Sequence, residues 1–248
     1  MKKTLLEIVQ DILNEMDSDE VNSISDTIES QQVANIVRSC FNELISNRNW
    51  PHLKQLVQLE ASGSVNKPTH MRLPERLREL SDVYYDVRKT ISGKKEFQKI
   101  SYKSPEEFIR ILVLRDSSKG NIKVVTDESG VELLIQTDKA PKFFTSFDDD
   151  WIVFDSYNSD VDSTLQKSKT QAFAYIEPEW VHEDSAYPDL PPDAFALLTE
   201  EAKSVSFLTL KQMGNEKAEQ RASRQNRWLS RKAWRVDGSI KFPNYGRK

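Results

Sequence analysis

Consecutive aspartates are the densest group of side chains in the sequence that could support catalysis or hold a cation. Asp148, Asp149 and Asp150 follow one another, and neighbouring carboxylates can act as an acid–base pair or bind a metal ion. They separate two apolar segments with alternating polarity, however. That position favours a solvated hairpin turn, in which aspartate tolerates unusual backbone angles.

Other residues that could hold a metal ion are poorly spaced for it. One acidic set lacks the central glycine and distal glutamate of a calcium loop: Asp155, Asn158, Asp160 and Asp162. The three histidines, His52, His70 and His182, have no cysteine or second histidine at the spacing of zinc ligands. We therefore expect no metal site.

Motifs of covalent and nucleotide chemistry are also missing. The sequence contains no nucleophile elbow, phosphate loop or dinucleotide fingerprint. With only seven glycines in 248 residues, glycine-rich phosphate loops are not expected. The sequence predicts a protein that is not an enzyme and that binds no cofactor.

Cations dominate a predicted helix over residues 215–235. At about 100° per residue, six of them fall on one side of that helix: Lys217, Arg221, Arg224, Arg231, Lys232 and Arg235. We call this set the basic stripe. A separate strip would pack against a neighbouring helix: Ala218, Ala222, Leu229, Ala233 and Val236. Trp228 falls among the cations, where it could lie under guanidinium groups.

The basic stripe has few acids within its own helix. Glu216 and Glu219 are the only ones, and both lie near its start, so pairing at i±4 is scarce. A solvated face is one interpretation. Otherwise the anions come from elsewhere, either from nucleic-acid phosphates or from Glu200 and Glu201 in the preceding helix of a neighbouring subunit.

The whole chain shares this asymmetry of charge. The formal net charge is −4, but residues 211–248 contain eleven Lys/Arg and only three Asp/Glu, a balance of +8. The first 210 residues therefore carry −12. Such a distribution suits a protein that binds a partner, or copies of itself, head to tail.

Helices at both ends must position these charges. We predict a helix from Leu5 to Met16, with Thr4 and Glu7 as a capping box, and a second helix from about Asp26 to the Asn49–Pro51 segment. The segment from Pro191 predicts a third helix that ends at a left-handed cap on Gly214. Its predicted apolar stripe follows steps of three and four: Phe195, Leu198, Ala202, Val205 and Leu208.

The middle of the chain is rich in β-branched and aromatic residues. We predict strands there, two hairpins that turn at 127–130 and 148–150, and a short helix capped by Ser104 with Pro105 in its first turn. The predicted fold is α+β, an α-helical bundle formed by N- and C-terminal helices with an inserted antiparallel β-rich domain. The bundle would comprise 1–50 and 179–237, the insert 51–178, and an extended C-terminal tail 238–248.

The expected compartment follows from a few residues. The N-terminal segment carries Glu7, Asp11 and Glu15 where a signal peptide would be apolar, so an amphipathic helix is expected instead. No apolar run approaches the length of a membrane span, and the single cysteine, Cys40, falls on an apolar helix face. We expect a soluble protein, made in a reducing compartment, with no membrane partner.

Several segments together resemble a known family. PKFFTSFDDDWIVFDSYN, LQKSKTQAFAYIEPEW, the stretch from YPDLPPDAFALL to SRKAW, and FPNYGRK resemble the head-to-tail adaptors of short-tailed bacteriophages, the tail tubular protein A type. The opening helices, which end in ISNRNWPHL, are similar to the start of that family. The resemblance covers most of the chain in order and is strongest over 141–235.

The resemblance implies a structural role in the virion. Adaptors of this type form a ring, a dodecamer in that family, between the portal protein and the tail nozzle protein. Double-stranded DNA passes through the lumen during genome ejection, and tail fibres are a further partner. By that analogy the protein would be made in the bacterial cytoplasm and would end in the neck of the virion, with Phe242, Pro243 and Tyr245 as a portal-docking tail.

Two alternatives remain open at the level of the sequence. One is a nucleic-acid-binding protein that uses the basic helix 215–235 in isolation. The other is a glycan-binding or hydrolytic tail component that uses the aspartates around Asp149. Salt-dependent DNA affinity would favour the first, and carbohydrate hydrolysis lost on Asp149→Asn would favour the second.

Overall fold

Two compact units make up the structure, a computed structural model that describes residues 2–89, 93–127 and 129–231. The helical unit contains Met1–Leu53 and Pro178–Lys248, and the β-rich unit contains Lys54–Glu177. The chain therefore leaves the helical unit once, builds the β-rich unit and returns. The mixed α+β class predicted from the sequence is confirmed.

Five α-helices occur in the described part of the chain: α1 (Leu5–Glu15), α2 (Ile28–Ser46), α3 (Pro105–Val113), α4 (Phe195–Lys211) and α5 (Glu216–Arg231). The first begins with the predicted capping box. The Thr4 hydroxyl accepts from the Glu7 N–H at 3.2 Å, and the Glu7 carboxylate accepts from the Thr4 N–H at 2.8 Å. Thr27 and Ser30 form a second capping box at the start of α2. Helix α2 begins two residues after its predicted start.

Apolar side chains hold the helical unit together. The apolar stripes of α1 and α2 are buried: Leu5, Val9, Ile12, Met16, Val33, Val37, Cys40, Phe41 and Leu44. Helix α4 contacts α1, α2 and α5. It is therefore the element against which the N-terminal and C-terminal helices both bury their apolar faces.

The predicted stripe of α4 is wrong in its second half. Phe195, Leu198 and Ala202 are buried, but Val205 is 38% exposed and Leu208 is 64% exposed. Each step of three residues falls about 60° short of a full turn, so the last two members rotate away from the buried face. That face continues instead through Thr199, Lys203 and Ser206.

The predicted start and end of α4 also need correction. The left-handed residue is Gln212, with φ 53° and ψ 31°, and Gly214 has no positive φ. The Gln212 and Met213 N–H groups both donate to the Phe207 carbonyl and close the helix before the glycine is reached. At the other end, α4 begins after Ala194, so Pro191 and Pro192 precede the helix instead of forming its first turn.

Ten strands occur in the described part of the β-rich unit: β1 (Lys54–Val57), β2 (Glu60–Ala61), β3 (His70–Arg72), β4 (Leu77–Asp86), β5 (Phe97–Tyr102), β6 (Ile122–Thr126), β7 (Glu132–Gln136), β8 (Phe143–Ser146), β9 (Trp151–Phe154) and β10 (Thr170–Ile176). Eight of them form one large curled sheet in the order β1-β10-β4-β5-β8-β9-β3-β2. All of its neighbours are antiparallel except β5 and β8.

Both predicted hairpins are confirmed. Strands β6 and β7 form a separate two-stranded sheet, and β8 pairs with β9 across the turn at the three aspartates. Helix α3 is capped as predicted, by the Ser104 hydroxyl accepting from the Glu107 N–H. Strand β5 was not predicted, because Ile100 is its only fully buried side chain.

No helix in the described ranges is both long enough and apolar enough to cross a bilayer.

Candidate interaction surface

Helices α4 and α5 form a closely packed pair, and α5 carries the predicted site residues that the structure describes. Only residues 212–215 connect them and they contact each other extensively, so they run antiparallel. Ala218, Ala222 and Leu229 are buried, which confirms the described members of the predicted packing strip. The two alanines, Ala218 and Ala222, are small enough to allow the backbones of α4 and α5 to approach closely.

Three members of the basic stripe are described with their side chains. Lys217, Arg221 and Arg224 are all exposed on α5. Arg231 is the last residue of α5, and nothing further is described of its side chain. The remaining predicted residues lie outside the described ranges: Lys232, Arg235, Phe242, Pro243 and Tyr245.

The anion that meets Arg221 belongs to the same chain. Arg221 Nη1 lies 3.4 Å from Glu200 Oε1 on α4, so a neighbouring subunit is not needed to pair this cation. Lys217 and Arg224, in contrast, have no carboxylate partner among the residues that the structure describes. Arg227, which the sequence analysis left out of the basic stripe, is exposed beside them.

Lys203 is a buried cation that the sequence analysis missed. Its side chain is 5% exposed, and Nζ lies 2.6 Å from Glu15 Oε1 and 3.7 Å from Glu200 Oε1. Burial of a lysine is tolerated because two carboxylates from different helices meet it. The burial of Lys203 could have been inferred from its spacing. Lys203 follows Phe195 by two helical turns and Thr199 by one turn, so the three residues share one face of α4.

Carboxylates gather around Glu201, which lies about 100° around α4 from Glu200. Burial raises the pKa of Glu201, and the charges of Glu43 on α2 and Glu219 on α5 raise it further. None of these three carboxylates forms an ion pair within the described part of the chain. Cys40 is 4% exposed; burial, followed by the nearby charges of Glu201 and Glu43, raises the pKa of its thiol to about 12.

The aspartates considered for catalysis are engaged in structural contacts. Asp148 Oδ1 accepts from the Asp150 and Trp151 N–H groups at 3.1 and 2.9 Å, and Asp149 takes a positive φ of 62°. These are the contacts of a tight turn. No set of three histidine, cysteine, aspartate or glutamate side chains within the described ranges is placed to hold a metal ion.

The calcium-loop candidates are divided among other partners. Asp155 pairs with Arg115 at 2.9 Å, and its Oδ1 accepts from the Lys142 and Phe143 N–H groups. Asp162 pairs with Lys169. The structure therefore does not bring these carboxylates together around one point.

Comparison with known proteins adds no family to this description. The sequence matches no protein-family model and no curated protein. The α4–α5 pair can bind a partner through its charged side chains and its exposed apolar side chains.

Proposed function

We propose that this chain is a structural protein of the virion of a short-tailed bacteriophage, a head-to-tail adaptor. Twelve copies, the number taken from the family that the sequence resembles, would form a ring that joins the portal protein to the tail nozzle. Double-stranded DNA would pass through the ring. The proposal assigns no reaction, cofactor or metal to the protein.

The observation that supports this proposal most is the path of the chain. Both ends of the described sequence build one helical unit, and residues 54–177 form a β-rich unit inserted between them. We propose that α1, α2, α4 and α5 form the helical bundle of an adaptor, because α4 contacts the other three. The inserted β-rich unit would then face the tail components.

The C-terminal tail has a defined role in this proposal. Residues 238–248 contain Phe242, Pro243 and Tyr245 and have little helix propensity. We propose that these residues, which lie outside the described ranges, dock on the portal. Deleting 238–248 should abolish portal binding and leave the thermal unfolding transition nearly unchanged. Unchanged portal binding would reject this role.

Imaging of the complex tests the adaptor function directly. The purified chain is mixed with its cognate portal protein and examined by electron cryomicroscopy. We expect a ring of copies seated on the portal. Portal particles that never acquire such a ring, at any ratio of the two proteins, would reject the proposal.

A second candidate function rests on the exposed cations of α5. Lys217, Arg224 and Arg227 are exposed, and none has an ion-pair partner in the described structure, so the free protein could bind nucleic-acid phosphates. Submicromolar DNA affinity that falls by orders of magnitude between low and physiological salt would favour this candidate. The pairing of Arg221 with Glu200 lowers the charge available for it.

A further inference from the structure

The α4–α5 pair has two edges of opposite character. On α5, Lys217, Arg221 and Arg224 lie on one side, and Glu219 lies about 140–160° away from them around the helix axis. On α4, Glu200 faces Arg221, whereas the charge of Glu219 acts on the neighbouring residue, Glu201. One edge of the pair is therefore basic and the other acidic.

The basic edge combines unpaired cations with an exposed aromatic ring. Lys217 and Arg224 have no carboxylate partner among the described residues. Trp228 lies one turn beyond Arg224 on the same side and is 49% exposed. A surface of this composition suits a partner that offers carboxylates and apolar side chains together.

The acidic edge has the complementary composition. Glu201, Glu43 and Glu219 have no ion pair in the described structure; burial, followed by the charges of Glu43 and Glu219, raises the pKa of Glu201. Val205 and Leu208 follow Glu201 at steps of four and three and are 38% and 64% exposed. These are the two residues whose apolar spacing predicted burial, although no residue that the structure describes covers them fully.

We propose that the basic edge of one copy, Lys217, Arg224 and Trp228, packs on the acidic edge of the next copy, Glu201, Val205 and Leu208. Because the two surfaces differ, this contact is heterologous and can repeat from copy to copy until a ring closes. Closure into a ring rests on the proposed adaptor function. The pairwise contact between edges rests on the charges and exposure described above.

A second copy fits both edges better than a nucleic acid does. Phosphates could meet Lys217 and Arg224, but they would leave Val205 and Leu208 exposed and would be repelled by Glu201. Another copy supplies an anionic, apolar surface to the first edge and a cationic, aromatic surface to the second. The long stems of Lys217 and Arg224 could also cover apolar side chains.

Disulfide trapping tests whether the contact joins unlike edges. Gln220 lies between Lys217 and Arg224 on α5, so Gln220→Cys labels the basic edge without removing a charge, and Leu208→Cys labels the acidic edge. The native Cys40 is 4% exposed, with a pKa of about 12, and does not compete. Under mild oxidation, a mixture of the two variants should give mixed dimers about tenfold faster than either variant gives its own dimer, because like charges oppose the symmetric contacts.

The control keeps one cysteine and moves the other. Gln220→Cys is mixed with Ser118→Cys, an exposed position in the β-rich unit, and should give mixed dimers only at the background rate. Equal rates for the test and control pairs would overturn the inference. So would symmetric dimers that form faster than the mixed ones.

Exchanging the charges of the two edges tests the electrostatic contribution to the proposed contact between copies. The variant Lys217→Glu/Arg224→Glu has two acidic edges, and the variant Glu201→Lys/Glu219→Lys has two basic edges. With the same cysteine labels, neither variant should cross-link alone, whereas a mixture of the two should cross-link at the wild-type rate. A mixture no more reactive than its components would overturn the inference.

Portal imaging separates this inference from the proposed function. If mixed dimers form but no rings appear on the portal, the contact between edges is supported and the adaptor function is rejected. If rings appear on the portal but mixed dimers are not preferred, the adaptor function is supported and the contact between edges is rejected.

Discussion

Two adjacent glutamates on α4 should respond in opposite directions when each is changed to glutamine. Glu200 forms ion pairs with Lys203 at 3.7 Å and Arg221 at 3.4 Å. Glu201 has no ion pair in the described structure, and burial and two nearby acids raise its pKa. We expect Glu200→Gln to destabilise the helical unit and Glu201→Gln to stabilise it at neutral pH.

The cost of Glu200→Gln follows from its two contacts. Arg221 is 59% exposed, so this pair contributes less than about 1 kcal/mol. Lys203 is 5% exposed, but in the variant it keeps its ion pair with Glu15 at 2.6 Å. The stability lost at Lys203 is therefore only a fraction of the cost of leaving a buried charge without any partner. We expect a total decrease in the free energy of unfolding of about 1–2 kcal/mol.

The gain from Glu201→Gln should depend on pH. An acid whose pKa is raised in the folded state holds its proton more tightly there than in the unfolded chain, so its contribution to stability is present at low pH and is lost as the pH rises. Glutamine does not ionise and avoids that loss. The variant should therefore be more stable than the wild type at pH 7, and the difference should disappear below about pH 4, near the ordinary pKa of glutamate.

Urea unfolding followed by tryptophan fluorescence measures both changes. Four of the five tryptophans belong to the segments of the helical unit, so the signal reports mainly on its transition. Each variant is the other's control, because the residues are adjacent and the chemical change is the same. Equal shifts in the same direction at pH 7 would refute the assignment of Glu200 and Glu201 to different electrostatic environments.

Two further predictions concern buried groups outside the interface. Arg115→Met leaves the Asp155 carboxylate, which is 6% exposed, without its cation. The free energy of unfolding of the β-rich unit should decrease by about 3–5 kcal/mol. The double variant Arg115→Met/Asp155→Asn should recover part of that loss in the same urea titration. Equal stability of the single and double variants would contradict the role given to this pair. Cys40 should react with a thiol reagent only after the chain unfolds, because its thiol is buried and its pKa is about 12; rapid reaction of the folded protein at pH 8 would contradict its placement.

Local signals predicted the helices well where sequence neighbours determine the structure. The capping box at Thr4 and the cap at Ser104 are formed as expected, because each depends on residues within one helical turn. The hairpin turns at 127–130 and 148–150 are local in the same way. These elements could be predicted because few distant contacts compete with them.

The features that the sequence did not predict depend on distant partners. Strand β5 is held between β4 and β8, and only Ile100 among its side chains is fully buried, so its own sequence carries little periodic signal. Lys203 is buried because Glu15 reaches it from a helix 188 residues away in sequence. The exposure of Val205 and Leu208 depends on how α4 is rotated against its neighbours, which helical spacing alone does not determine.

The candidate interaction surface was predicted in part. The spacing of Lys217, Arg221 and Arg224 placed them on one side of a helix, and the structure describes all three as exposed on α5. The partner of Arg221 could not be predicted, because it depends on the offset between α4 and α5. The sequence named Glu201 as a possible anion for a neighbouring copy, but its proximity to Glu43 and Glu219 could not be predicted, because the three residues belong to different helices.

A reconstruction of the chain bound to its cognate portal protein tests the central claim most directly. We expect a closed ring of identical copies on the portal, in which α5 of each copy packs against α4 of the next and the ring surrounds a channel wide enough for duplex DNA. Portal particles that carry no such ring, or that bind isolated copies without contacts between them, would contradict the proposed adaptor.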